Sequence, residues 1–227
     1  MKNIKYVGFD ADDTLWINEP FFRDTEKDFL NIFPELDSKI LFDELNDTEI
    51  RNISIYGYGI KSFVLSMLET ASKLSKNLDN DKVNSIINLG KIMLNKPVDL
   101  LPGVIEVLEY LSGKYKLFLL TKGDLVDQER KLRKSGLEKY FHYIEIMSEK
   151  KTESYLNLFD KTDINPAEFL MIGNSLKSDV VPVIRAGGYG VHIPFHTTWV
   201  HEEIDEKDIP ERNYYKISNL LDIVTLV

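Results

Sequence analysis

Residues 4–14 read Ile4-Lys5-Tyr6-Val7-Gly8-Phe9-Asp10-Ala11-Asp12-Asp13-Thr14. The apolar run Ile4–Phe9 predicts a buried strand over Lys2–Phe9, with Gly8 allowing close packing. The run ends in three carboxylates, Asp10, Asp12 and Asp13. Crowding carboxylates where a buried strand ends is unfavourable unless a cation or hydrogen bonds compensate. The cluster therefore asks for a metal or for chemistry. Asp10 and Asp12 can divide the labour, one attacking as a nucleophile and the other carrying protons. Asp13, between the motif positions, is expected to face solvent or to hydrogen-bond the turn.

Further along the chain, the next comparable strand is Tyr115–Leu120. The stretch between, Ile17 to Val98, is patterned as helix. Ile60, Phe63, Val64, Met67, Leu68, Ala71 and Leu74 recur at three- and four-residue spacing, and Val83, Ile86, Ile87, Met93 and Leu94 form a second stripe. Shorter helices are expected over Glu19–Phe33 and Asp37–Leu45, separated by Pro34. From Leu101 the pattern alternates. A helix from Pro102 to Leu111 precedes the strand Lys116–Leu120, a helix from the cap Asp124 ends near Ser135 at the stop signal Gly136, and Tyr143–Met147 is a strand. Thr152–Asp160 is a helix, Phe169–Ile172 a strand, Ser178–Ala186 a helix, Gly190–Ile193 a strand and Ser218–Leu226 a closing helix. Thr197–Glu211 reads as an acidic loop. The prediction is an α/β fold: a Rossmann-like, three-layer parallel sheet built from residues 1–17 and 98–227, with an α-helical insertion at 18–97.

Composition narrows the function. The 227 residues are 43% hydrophobic and 29% charged, as in a folded protein. A net charge of −9 repels nucleic acid and anionic membranes, so neither is expected as a partner. With no cysteine, disulfides and thiolate metal sites are excluded. Met1-Lys2-Asn3-Ile4-Lys5 is too poor in apolar residues for a signal peptide, and no run reaches the roughly 18 apolar residues of a membrane span. The expected location is cytoplasmic.

Ligands of open parallel sheets bind beyond the carboxyl ends of the strands. Those ends carry Asp10 and Asp12; then Thr121, Lys122 and Gly123; then Lys150 and Lys151; then Gly173-Asn174-Ser175 and Asp179. The set suits phosphoryl transfer from a monoester. Substrate and carboxylate nucleophile are both anions, and a divalent cation together with a lysine cancels their repulsion. Thr121 and the main-chain N–H groups after the strands, at Ala11, Asp12, Lys122 and Gly123, can hold phosphate oxygens. Asp10 attacks phosphorus and forms an aspartyl-phosphate; Asp12 protonates the leaving oxygen and then activates water.

Asp10-x-Asp12-x-Thr14, Thr121, Lys150 or Lys151, and Gly173-Asn174-x-x-x-x-Asp179, in this order, resemble the four motifs of the haloacid dehalogenase-like hydrolases, and the helical stretch resembles that family's cap. The resemblance implies Asp10 as nucleophile, Asp12 as acid/base, Thr121 and Lys150 as catalytic partners, and Mg2+ held by Asp10, the Asp12 carbonyl and Asn174, with Asp179 a direct or second ligand. It implies a small phosphorylated metabolite as substrate and a cap that closes over the site and selects the leaving group. Two departures stand out. Asn174 occupies a place often held by Asp, which removes a negative charge. Either Lys150 or Lys151 could be the motif lysine, and Tyr155 after them favours Lys150. Dehalogenases of the family lack the second carboxylate, so Asp12 argues for phosphate chemistry.

The alternatives are a phosphomutase, a metal-independent 2-haloacid dehalogenase, and a binding protein that keeps the fold without activity. A receiver-type signalling module also combines acids, Thr and Lys, but it lacks a long insertion after strand one. Tyr58 and Lys61, in the stretch Tyr56–Lys61, are candidates to touch substrate, against a plain join between helices. His192, His196 and His201 are irregularly spaced, which favours surface or loop histidines over metal ligands.

Overall fold

A computed structural model of the chain describes residues 3–197, 199–202 and 204–227. Lys2, in the predicted first strand, and Thr198 and Glu203, in the acidic stretch, lie outside the described residues. The strands are β1 (Tyr6–Phe9), β2 (Lys116–Lys122), β3 (Tyr143–Met147), β4 (Phe169–Gly173), β5 (Tyr189–His192) and β6 (Tyr214–Lys216). They form one parallel sheet in the order β3-β2-β1-β4-β5-β6. β1 is central, with Phe9 in register with Leu119 on one side and Ile172 on the other. The chain contacts divide it into two compact units: 1–19, 98–122 and 128–227, which hold the sheet, and 20–97 with 123–127.

The second unit contains α1 (Glu19–Ile32, its first residue in the sheet unit), α2 (Ser38–Tyr56), α3 (Ile60–Leu74) and α4 (Asn80–Asn95). Phe29, Phe33, Leu41, Leu45, Phe63, Met67, Ile86 and Met93 are its buried core. The periodic stripe of α3 therefore marks an inward face, and that of α4 does so except at Ile87, which is exposed. α2 is longer than the sequence predicts. Asp37 caps it by accepting the N–H groups of Lys39 and Ile40. Beyond Leu45 its buried face turns polar: Asn52 Nδ2 donates to Ser66 Oγ at 3.1 Å and Glu69 Oε2 at 3.2 Å. A hydrophobic stripe cannot report such a face.

In the sheet unit, α5 (Val104–Ser112), α6 (Leu125–Ser135, whose first residues belong to the other unit), α7 (Thr152–Thr162), α8 (Val181–Arg185) and α9 (Ile223–Leu226) complete the chain. Alternate residues of each strand face opposite ways. Val7, Phe9, Leu117, Leu119, Leu170 and Ile172 pack with Val104, Leu108, Leu111, Leu132 and Ile223 on one side. Phe118, Leu120, Phe169 and Met171 pack with Tyr155, Leu158, Phe159 and Val183 on the other. Each fully buried side chain contributes about 1.5–3 kcal/mol, so these two faces hold the three layers together.

Three local features depart from the expectation. The predicted helix Ser178–Ala186 begins instead with a π-helical turn, Leu176–Val180, before α8. The closing segment is a 3-10 turn, Leu220–Asp222, followed by the short α9. β6 extends the sheet edge unforeseen, because three residues are too few to show a pattern. Among the described residues the acidic stretch contains two short 3-10 turns, Val200–Glu202 and Glu206–Asp208. Among the described residues no helix is long and apolar enough to cross a membrane.

Candidate active site

Asp10 follows β1, and its N–H donates to Ile172 O at 2.9 Å, which fixes the chain where β1 and β4 end together. Its carboxylate is buried. Oδ1 contacts Lys150 Nζ, and Oδ2 lies 3.3 Å from Thr14 Oγ1. Burial pushes the Asp10 carboxyl up to about 7; the Lys150 ammonium pulls against this and the Asp179 charge adds to it. Lys150 Nζ also donates to Asp179 Oδ1 at 2.8 Å. Burial works against the Lys150 charge, but Asp10 and Asp179 outweigh it and hold the ammonium above its ordinary range. Lys151, one residue on, is exposed, and its ammonium lies 3.7 Å from Glu149. Of the two candidate lysines, the fold turns Lys150 inward.

Asp179 sits in the π-helical turn, 1% exposed, and Ser175 N–H donates to its Oδ2 at 3.0 Å. Its approach depends on Gly173: a Cβ there would lie 2.2 Å from Asp179 Oδ2. Tyr155, fully buried on α7, donates its hydroxyl to Ser178 O at 3.0 Å. Burial, with the Asp179 and Asp10 charges, holds the Tyr155 phenol well above its usual range, so it remains a neutral strut.

Thr14 ties the first motif to the fourth. Its Oγ1 is 3.3 Å from Asp10 Oδ2 and 3.3 Å from Asn174 Oδ1, and it accepts the Asn174 N–H at 3.1 Å. Asn174 O faces His192 Nε2 at 3.0 Å. His192 is therefore a buried residue of β5, and burial lowers its pKa. This corrects the expectation of a surface or loop histidine; the strand alternation turns it under the Asn174 turn. His196 is exposed, and His201 lies beside Lys177. Among the described residues no three His, Cys, Asp or Glu side chains gather as a cation site.

Asp12 is held by three donors. Trp16 Nε1 and Lys131 Nζ each lie 2.6 Å from Oδ1, and Gln128 Nε2 lies 2.8 Å from Oδ2. Ala11 is fully buried, and its carbonyl accepts Leu15 N–H at 2.8 Å, which makes the turn. Asp13, with φ 60°, is buried rather than facing solvent, and it accepts N–H bonds from Asn18 and Glu19. Burial pushes its carboxyl up to about 8, against the Asn18 N–H bond that favours the charge.

Thr121 is buried near the end of β2, with its hydroxyl 3.4 Å from Lys122 O. Lys122 Nζ donates to Ser178 Oγ at 2.8 Å and to Glu202 Oε1 at 2.6 Å. Gly123 turns the chain after β2 with φ 136°. Asp124 caps α6 by accepting Asp127 N–H at 3.0 Å, and it pairs with Lys61 Nζ at 3.0 Å. Sequence reading passed over Trp16 as an Asp12 partner, and with it Gln128 and Lys131, and it read His192 as a surface or loop histidine and Glu202 as part of a solvated acidic loop. Only the helical spacing that puts Gln128 and Lys131 on one face of α6 could have flagged two of them.

The haloacid dehalogenase-like hydrolase family profile matches residues 4–187. Over 229 residues the chain is 24% identical to a glyceraldehyde 3-phosphate phosphatase of Methanopyrus kandleri, covering 97% of each. A haloacid dehalogenase-like family hydrolase from Xanthomonas campestris superposes with a TM-score of 0.87 at 36% identity, over 99% of this chain and 91% of that one. The L-2-haloacid dehalogenase of Xanthobacter autotrophicus shares the fold, with a TM-score of 0.68 at 15% identity over 98% of both chains.

Proposed function

The chain belongs to the haloacid dehalogenase-like hydrolases, and from that premise we propose that it hydrolyses a small phosphate monoester through an aspartyl-phosphate on Asp10. The observation that carries this reading is the buried Asp10–Lys150–Asp179 chain with a second carboxylate, Asp12, two residues from the nucleophile. The named activity of the Methanopyrus kandleri relative supports a phosphorylated small molecule as substrate.

In this reading Asp10 is the nucleophile. Lys150 offsets the repulsion between the carboxylate and the incoming phosphate dianion. Thr121, Lys150 and the main-chain N–H groups at Ala11, Asp12, Lys122 and Gly123 receive the phosphate oxygens. Asp12 donates a proton to the leaving oxygen and then takes one from water. To do so it must turn from Trp16, Gln128 and Lys131, which hold both of its oxygens. Residues 18–97 are assigned the cap's task of choosing the leaving group.

The donor set fits magnesium. A carboxylate oxygen of Asp10, the amide oxygen of Asn174 and the Asp12 carbonyl are hard oxygens, and Thr14 Oγ1 lies within 3.3 Å of the first two. When bound, the ion supplies charge neutralisation at the phosphate. Asp179 has both oxygens engaged, by Lys150 and Ser175, and we assign it to holding Lys150 rather than to direct ligation.

Hydrolysis of an aryl phosphate, read as free phosphate with and without magnesium, tests the proposal. Asp10→Asn should abolish turnover and a chelator should suppress it; phosphate release indifferent to both would reject it. The tethering of Asp12 favours one second reading, displacement of halide from a 2-haloacid by Asp10, and halide release from a haloacid panel separates the two.

A further inference from the structure

Next to the Asp10–Lys150–Asp179 chain is a second polar cluster that the proposed reaction does not use. Lys122 Nζ, Ser175 Oγ and Ser178 Oγ come from the end of β2, the turn after β4 and the π-helical turn. All three converge on one carboxylate, Glu202. Lys122 Nζ reaches Oε1 at 2.6 Å, and both hydroxyls reach Oε2 at 2.6 Å. Lys122 and Glu202 side chains are each 14% exposed, so the pair touches solvent but is mostly enclosed. An ammonium and two hydroxyls facing one point make a carboxylate- or phosphate-sized anion pocket. Here it is filled by the protein's own acid.

The pocket shares its wall with the candidate active site. Ser175 gives its hydroxyl to Glu202 and its N–H to Asp179 Oδ2. Ser178 precedes Asp179, and Lys122 follows Thr121. The donors come from the compact ends of three core segments, whereas Glu202 arrives on a three-residue 3-10 turn of the acidic stretch. The donors are therefore built into the core, and the anion is the exchangeable partner. Both oxygens of Glu202 are engaged by these donors, as the oxygens of a bound carboxylate would be.

We propose that Lys122, Ser175 and Ser178 form an anion subsite, occupied by Glu202 in this state and taken by a second anionic group of the substrate, a carboxylate, when Glu202 withdraws. The inference rests on the phosphatase reading and narrows it to phosphate esters whose leaving group carries a carboxylate.

The test compares n-propyl phosphate with 2-carboxyethyl phosphate. In the wild-type protein the carboxylated ester should show a KM about tenfold lower, as expected for one charge-assisted contact. Glu202→Ala should lower that KM a further threefold or more and leave the KM of the propyl ester in place, while Lys122→Met erases the preference. Equal KM values for the two esters, or a Glu202→Ala effect of equal size on both, would overturn the subsite. Calorimetric binding of both esters to Asp10→Asn, alone and combined with Glu202→Ala or Lys122→Met, scores the pocket without turnover. If wild type hydrolyses neither ester, the phosphatase reading fails, and the binding ratio still decides the subsite. Circular dichroism confirms that each variant is folded before it is scored.

Discussion

Asp179 Oδ1 lies 2.8 Å from Lys150 Nζ, and both side chains are 1% exposed. An ammonium this deep is tolerable only while it is paired, and removing one partner of a buried pair leaves a charge without compensation. The lysine is thus fixed by a residue 29 positions away whose own position depends on a π-helical turn.

The two adjacent lysines should behave oppositely. Lys150→Ala should lower kcat/KM on an aryl phosphate by at least about 100-fold, the scale of losing one preorganised charge partner. Lys151→Ala should change activity less than twofold and stability by under about 0.5 kcal/mol, because its ion pair with Glu149 is exposed and long. Equal losses from the two variants would contradict the inward placement of Lys150.

Gly173→Ala should damage the site without touching any catalytic side chain. The added Cβ meets the Asp179 carboxylate at 2.2 Å, so the turn or Asp179 must move. The expected cost is about 1–3 kcal/mol in denaturant unfolding, with a fall in kcat that exceeds any rise in KM as Lys150 loses its anchor. Wild-type stability and kcat in this variant would show that the close approach is not needed.

Asn174→Asp should tighten magnesium. Replacing the amide oxygen with a carboxylate adds a charge beside Asp10, and the concentration of magnesium giving half-maximal activity should fall about tenfold. Without the ion, the same substitution sets two carboxylates around Thr14 and should lower the melting temperature. A variant with unchanged magnesium dependence would remove Asn174 from the donor set.

Acid should loosen the Glu202 contact before it unfolds the core. Glu202 is held down to about 2: burial alone would raise it, but Lys122 and the hydroxyls of Ser175 and Ser178 outweigh burial. A depressed carboxyl stabilises the fold fully above its unfolded value and loses that contribution as pH falls towards its folded value. The stabilisation, at most about 3 kcal/mol at neutral pH, should therefore disappear between about pH 4.5 and 2. Glu202→Gln should flatten this part of the stability–pH curve, as measured by urea denaturation; an unchanged slope would place the acid sensitivity elsewhere.

Much of the candidate site could be read in the sequence because the reading depended on local pattern. Apolar runs marked β1, β2 and β4, and the residues just beyond them, Asp10, Thr121 and Asn174, stand where such runs end in a parallel sheet. Periodicity located α3 and α4 within a few residues. It failed where burial was polar, as along α2 around Asn52, or where an element was too short to have a period, as in β6.

The sequence by itself determined the succession of β1 to β5 and of the long helices along the chain, the clustering of acids after β1 and the candidate set Asp10, Asp12, Thr121, Lys150 or Lys151, Asn174 and Asp179, since these follow from local pattern and position along the chain. Only the tertiary structure decided that Lys150 rather than Lys151 turns inward, that Lys131 and Gln128 hold Asp12 across sequence separations of 119 and 116, and that Glu202 fills a pocket made by Lys122, Ser175 and Ser178. The physical reason is that a charge chooses its partner by distance in space. In a sheet ordered β3-β2-β1-β4-β5-β6, neighbours in space are set by the crossover connections, which no local pattern encodes.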